Sequence, residues 1–223
     1  RRSAVPDPEM RAAAAQIVEL VRWGGDSSVV ACNIRYGGGL ATGALRVEQQ
    51  ALTTALAALD PDVRTALEDA IANIRRAHEP QRPEDQTMET VPGVRLDRRW
   101  SPLNRIGVYV PGGRAAYPSS LLMGVIPAQV AGVGEIVVTT PADGDGAVSA
   151  TTLAAAALLG VEEVYVTGGA QAVAALAYGT NTIRRVDKIV GPGNAWVTAA
   201  KLAVYGDVGV DLPAGPSEAL IIA

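Results

Sequence analysis

The sequence predicts an α/β protein with a mostly parallel, Rossmann-like sheet and helices on both faces. A largely helical N-terminal segment with a β-hairpin precedes it. Three observations carry this prediction. From Arg105 onward, four short apolar stretches each lead into a stretch with helical spacing, and consecutive βα units build a parallel sheet that is covered on both sides. Ahead of Arg105 the apolar residues recur at helical intervals. Between the two regions, alternating residues flank Pro92-Gly93, the signature of a hairpin.

Taken in order, residues 9–23 place Ala13, Ile17, Val18 and Val21 on one helical face, and this helix is expected to stop at Gly24-Gly25. Residues 26–36 fit either state, because Val29, Val30 and Ile34 are β-branched at a spacing a helix also allows. The run Gly37-Gly38-Gly39-Leu40-Ala41-Thr42-Gly43 lacks the Lys-Ser/Thr of a P-loop and fits no GxGxxG register, so it reads as a flexible loop. Residues 48–59 and 61–78 read as helices, the second with Asp60 at its N-cap and Pro61 in its first turn. His78 closes that helix, where a cation complements the dipole. Residues 80–89 read as a polar surface loop and 87–100 as the hairpin.

Strands are expected at 106–110, 135–140, 163–166 and 186–190. The helices that follow them are expected at 119–131, 147–159, 170–178 and 194–205, joined by right-handed crossovers. A fifth strand-like stretch covers 208–212. The change of pattern divides the chain into a helical unit at 1–104, an α/β unit at 105–213, and the start of a returning strand at 214–223.

Composition narrows the function classes. With 223 residues the chain can bury a substantial core. A net charge of −4 argues against nucleic acid as a partner, since phosphate binding needs a basic face. No apolar run reaches the roughly 18 residues of a membrane span, and the start lacks an apolar signal-peptide core. The single cysteine, Cys32, cannot form an intrachain disulfide, which makes a cytoplasmic protein the expectation. One histidine, His78, cannot build a multi-histidine metal site. The last residues, Ala219-Leu220-Ile221-Ile222-Ala223, read as part of a buried strand, which suggests a longer polypeptide and, for this chain in isolation, poor solubility.

In an open parallel sheet, ligands bind outside the carboxyl ends of the strands. Four glycine turns are expected at that edge: Tyr109-Val110-Pro111-Gly112-Gly113-Arg114, Thr167-Gly168-Gly169-Ala170-Gln171, Gly191-Pro192-Gly193-Asn194, and Pro213-Ala214-Gly215-Pro216-Ser217-Glu218. Asn194 stands where an N-cap belongs, and the helix start behind it offers N–H donors with partial positive charge. Any one of these loops could equally be a glycine turn with no ligand. Together they form a crevice lined by backbone N–H groups and by Tyr, Gln, Asn and Ser side chains. A dinucleotide suits such a crevice, although no GxGxxG fingerprint follows any strand.

The segments Ile106-Gly107-Val108-Tyr109-Val110-Pro111-Gly112-Gly113, Gly168-Gly169-Ala170-Gln171-Ala172, Val186-Asp187-Lys188-Ile189-Val190-Gly191-Pro192-Gly193-Asn194 and Ala214-Gly215-Pro216-Ser217-Glu218 together closely resemble histidinol dehydrogenase. The resemblance runs from about Val47 to Ala223. It is weak before Val47, and residues 27–39 depart from the charged helical segment the family usually carries there. It implies a zinc-dependent homodimer that uses two NAD to oxidise L-histidinol through the aldehyde to L-histidine. By motif, Tyr109, Gln171 and Asn194 match NAD-contacting positions and Ser217 a substrate-contacting one. Tyrosine offers a ring and a hydroxyl, while Gln and Asn offer both donor and acceptor. The family's zinc ligands and its Glu-His acid–base pair lie downstream of residue 223, and His78 matches none of them, so the resemblance assigns no catalytic or metal residue here. This chain alone is therefore expected to be inactive on histidinol. Two other readings stay open: a related dehydrogenase acting on another alcohol such as a sulfonated diol, and a non-catalytic NAD-binding or structural module.

Overall fold

The computed structural model describes residues 6–112 and 115–211. Ser217, the turn around it and the strand-like stretch at 220–222 lie outside the described residues.

Helix α1 spans Pro8–Tyr36, and its N-cap Asp7 accepts from Met10 N at 2.9 Å. The helix does not stop at Gly24-Gly25. Gly25 takes φ 57° and ψ −142°, a conformation open to glycine, and the chain kinks and resumes its helix. The ambiguous residues 26–36 are thus helical. Val29 is fully buried, so packing outweighs the β preference of its branched side chain. Two shorter helices follow, α2 at Gln49–Ala57 and α3 at Pro61–His78, the latter capped by Asp60. The hairpin pairs β1 (Gln86–Val91) with β2 (Val94–Arg98) and is exposed along its whole length.

The α/β part runs β3 (Arg105–Tyr109), α4 (Pro118–Val130), β4 (Glu135–Thr140), α5 (Ala150–Leu158), β5 (Glu163–Val166), α6 (Gly169–Tyr178), β6 (Lys188–Val190), α7 (Ala195–Ala203) and β7 (Gly209–Val210). Its five strands are parallel in the order β5-β4-β3-β6-β7. Strand β6 begins two residues later than expected, although the Asp187 backbone still bonds Arg105 O (2.8 Å) and Gly209 N (3.0 Å) and its side chain ties down the start of β3. Its Oδ2 accepts from Asn104 N and Arg105 N, both at 3.0 Å.

Alternating residues of β3 point into two hydrophobic clusters. Ile106, Val108 and Val110 join the cluster shared by α2, α3, α4 and α5, while Tyr109 joins the one shared by α1, α6 and α7. Each fully buried Leu or Val in these layers stabilises the fold by about 1.5–3 kcal/mol. Helices approach the sheet closely where a side chain is missing. A Cβ on Gly107 would lie 2.8 Å from Leu176, and one on Gly124 would lie 2.4 Å from Val108.

Helix α1 lies along α6 from end to end. The Arg22 guanidinium stacks on the Tyr178 ring, 4.5 Å from its centroid. Asp26 accepts from the Thr182 hydroxyl at 2.6 Å just beyond that end, and Asn33 reaches Gln171 at the other end. At the amino edge of the sheet, buried Arg105 bridges Glu135 (2.6 Å) and Glu163 (2.7 Å), and Arg184 contacts both carboxylates. The Arg105 hydrogen bond holds the Glu163 carboxyl down at about 2. Burial pushes the Tyr165 phenol up to about 12. No described helix is long and apolar enough to cross a membrane.

Candidate cofactor site

The order of the strands reverses at β3. The chain steps from β3 to β4 to β5 in one direction, then returns to the other side of β3 for β6 and β7. The crevice outside the carboxyl ends of β3 and β6 is where such a sheet holds a ligand. Its walls are the segment after β3 and the Gly191-Pro192-Gly193-Asn194 turn after β6.

Tyr109, the last residue of β3, touches two of the neighbouring turns. Its hydroxyl accepts from Gly169 N at 3.2 Å, at the start of α6. Its carbonyl lies against Gly191, where an added Cβ would come within 2.0 Å of the oxygen. Only glycine fits there, and Gly191 also sits at φ 116°. The ring offered for stacking is packed inside the α6-side cluster, with the residue 3% exposed. Burial raises the phenol pKa, and the Gly169 N–H bond offsets this in part, so the phenol stays protonated at neutral pH.

Gln171 occupies the first turn of α6 and is 3% exposed. Its Nε2 donates to Asn33 Oδ1 at 3.3 Å. That oxygen also accepts from Thr167 Oγ1 at 2.9 Å, and Asn33 Nδ2 donates to the Val166 carbonyl at 3.2 Å. Asn194 caps α7 as its position suggests. Its Oδ1 accepts from Trp196 N (3.0 Å) and Val197 N (3.2 Å), and the residue is exposed. Tyr109 and Gln171 therefore meet at the Gly169 turn, and Asn194 stands on the turn that Gly191 seats against Tyr109.

Three polar residues of this region escape sequence reasoning. Asn33 could have been flagged by its place four residues after buried Val29, on the inward face of the helix. Lys201, 8% exposed, places Nζ 2.6 Å from the Gly191 carbonyl and 2.5 Å from Asp211. The other Asp211 oxygen accepts from Gly191 N at 2.9 Å. Burial lowers the Lys201 pKa, and Asp211 opposes that shift. Neither residue has a local signal, because a lysine in the last turn of a helix reads as a dipole partner.

The glycine run after α1 is tied down rather than free. Gly38 O accepts from Ala142 N at 2.9 Å, and Ala41 N donates to Gly146 O at 3.0 Å, which fastens the run to the loop after β4. His78 ends α3, with Nδ1 3.0 Å from Gln81 Oε1. A cavity of about 1410 Å³ opens beside the crevice, between α4 and the uncovered side of β6, and Met123, Pro127, Val190, Pro192 and Asp211 help line it. Among the described residues no three His, Cys, Asp or Glu side chains gather in a way that could hold a metal ion, so zinc has no ligand set there.

A parallel sheet covered on both faces, with glycine turns at its strand-order reversal, is a doubly wound α/β fold, the class that holds its ligands at that reversal. The family model described as histidinol dehydrogenase matches residues 1–223, and the chain belongs to that family. The match takes in residues 1–46, where the motifs alone resemble the family only weakly. A histidinol dehydrogenase of Methanothermobacter thermautotrophicus is 50% identical over 209 residues, covering 94% of this chain and 49% of the relative. One of Rhizobium meliloti is 48% identical over 216 residues, covering 96% and 50%. The crystal structure of histidinol dehydrogenase from Elizabethkingia anophelis superposes with a TM-score of 0.90 at 34% identity, over 97% of this chain and 50% of that one. The chain spans about half the length of the curated relatives it matches.

Proposed function

We propose that this chain is the NAD-side part of an enzyme that oxidises L-histidinol through the aldehyde to L-histidine with two NAD. The observation that supports it most is the contact of Tyr109 with both the Gly169 turn that carries Gln171 and the Gly191 turn that carries Asn194, in a chain matched by this family along its length. In this reading residues 105–213 form the cofactor unit. The rest of the proposal is a zinc-dependent, cytoplasmic homodimer in which Ser217 contacts the substrate.

Bound NAD supplies the hydride acceptor. The chain's own residues bind and orient it. The start of α7 presents the positive end of its dipole, which favours a pyrophosphate, while Asn194 Oδ1 takes up the Trp196 and Val197 N–H groups. Asn194 holds the helix with Oδ1, leaving its exposed amide nitrogen as a donor to the ligand. The Tyr109 oxygen accepts from Gly169, so its proton is left to donate. Gln171 offers an acceptor from the first turn of α6.

Calorimetric titration of the 223-residue chain with NAD, followed by an assay with L-histidinol, tests the proposal. Binding without turnover is the expected result. Absence of NAD binding overturns the cofactor assignment, and turnover by this chain alone overturns its placement as only the NAD-side part.

A further inference from the structure

Hydrogen-bond polarity passes through two side chains to reach the cofactor crevice. The Val166 carbonyl ends β5 and can only accept. It takes Nδ2 of Asn33 at 3.2 Å, which settles how that amide is turned. Oδ1 of Asn33 must then face the opposite way, where it accepts from Thr167 Oγ1 at 2.9 Å. A second group approaching Oδ1 has to be a donor, and Gln171 presents Nε2 there at 3.3 Å. The remaining polar atom of Gln171 is Oε1, on the Gly169 side of the residue, 3.0 Å from where a Gly169 Cβ would stand. No donor among the described residues reaches Oε1. Oε1 is therefore the end of Gln171 that no described group takes up.

We propose that Asn33 is a positioning residue, fixing the Gln171 amide so that Gln171 meets the bound dinucleotide through Oε1 as a hydrogen-bond acceptor. This rests on the NAD reading above. The matching ligand group is a donor: a ribose hydroxyl or a carboxamide N–H. Without Asn33 the Gln171 amide turns over freely about its last torsion, since the two orientations differ only in which polar atom faces the crevice. The space that Asn33 leaves also frees the earlier torsions of Gln171, so the ligand meets Oε1 in only a minor share of molecules and the affinity falls by that share. Asn33 belongs to α1, and its partners Thr167 and Gln171 lie 134 and 138 residues further along the chain.

A double-mutant cycle on NAD affinity, measured in the full chain by calorimetry with thermal melting of every variant, tests this. Gln171→Ala is expected to weaken NAD binding about tenfold or more, Asn33→Ala by about fivefold to tenfold, and the double variant no more than Gln171→Ala alone. Asn33→Asp keeps an acceptor opposite Gln171 Nε2 but cannot donate to Val166 O. It is expected to bind NAD within about threefold of the unaltered chain, although it melts at a lower temperature. That separation of binding from melting keeps the test meaningful if Asn33→Ala folds poorly. The inference is overturned if Asn33→Ala weakens NAD equally in the presence and absence of Gln171, or if binding follows melting temperature across all variants. If Gln171→Ala binds like the unaltered chain, or the unaltered chain does not bind NAD, the cofactor reading itself is wrong and this inference falls with it.

Discussion

The Lys201 ammonium lies 2.5 Å from the Asp211 carboxylate, and the two groups hold Gly191 from its two backbone sides, the lysine on its carbonyl and the aspartate on its N–H. Their burial differs. The Lys201 side chain is 10% exposed and that of Asp211 is 36% exposed. Removing either partner strands the other, and the stranded lysine sits in the drier place. Asp211→Asn is therefore expected to destabilise the chain more than Lys201→Met, by about 3 against about 1–2 kcal/mol. Urea unfolding of the two variants checks this, and the reverse ranking would count against the clamp.

Gly191 is the residue so held, and its own tolerance is low. At φ 116° with a virtual Cβ 2.0 Å from the Tyr109 carbonyl, Gly191→Ala must shift β3 or the turn. A loss of about 3 kcal/mol or more is expected, against about 1 kcal/mol for Gly43→Ala, which has a comparable positive φ but open space. Equal losses in denaturant melts would show that the contact with Tyr109 is unimportant.

Asn194 can be separated into cap and ligand roles. Asn194→Ala removes both and is expected to cost about 1 kcal/mol of stability. Asn194→Ser keeps a capping oxygen, so its stability should stay within about 0.5 kcal/mol of the unaltered chain. Both lack the amide nitrogen and are expected to weaken NAD about tenfold, as measured by calorimetry. A serine variant that binds like the unaltered chain would remove the amide from the cofactor contacts.

The carboxylates at the amino edge of the sheet predict an acid dependence. The Glu163 carboxyl is held at about 2, chiefly by its hydrogen bond from Arg105, against an ordinary value of 4.5. Its contribution is present above pH 4.5 and is lost as pH falls through about 2. After discounting for the solvent that reaches Glu163 and Arg184, this is about 1–2 kcal/mol at pH 7. Glu163→Gln is therefore expected to destabilise the chain by that amount at pH 7 and by clearly less at pH 3. Chemical denaturation at the two pH values decides, and a difference that does not change with pH would contradict it.

The βα rhythm is legible in the sequence because strands covered on both faces read as continuous apolar runs, as Val137-Val138 and Val164-Tyr165-Val166 do. The cap at Asn194 is legible because its partners, Trp196 and Val197, are its immediate neighbours in the chain. The continuation of α1 past Gly25 is not, since a glycine pair is a local stop signal and the contacts of the second half, Asp26 with Thr182 and Asn33 with Gln171, lie far along the chain. Asn33, Lys201 and Asp211 are hidden for the same reason. Each draws its role from contacts that fall outside any local pattern, and a single polar residue in a helix carries no mark of what it will face. The exposed hairpin is recognisable from Pro92-Gly93, but nothing in its alternation tells that both of its faces meet solvent.

Because α6 is fastened to α1 at both ends, by Arg22 on Tyr178 and by Asn33 on Gln171, the turn that carries Gly169 is braced by a helix near the start of the chain. Removing the Asn33–Gln171 contact should then quicken hydrogen exchange at Gly169, although that N–H is itself held by the Tyr109 hydroxyl. The brace of that turn thus lies more than a hundred residues upstream of it.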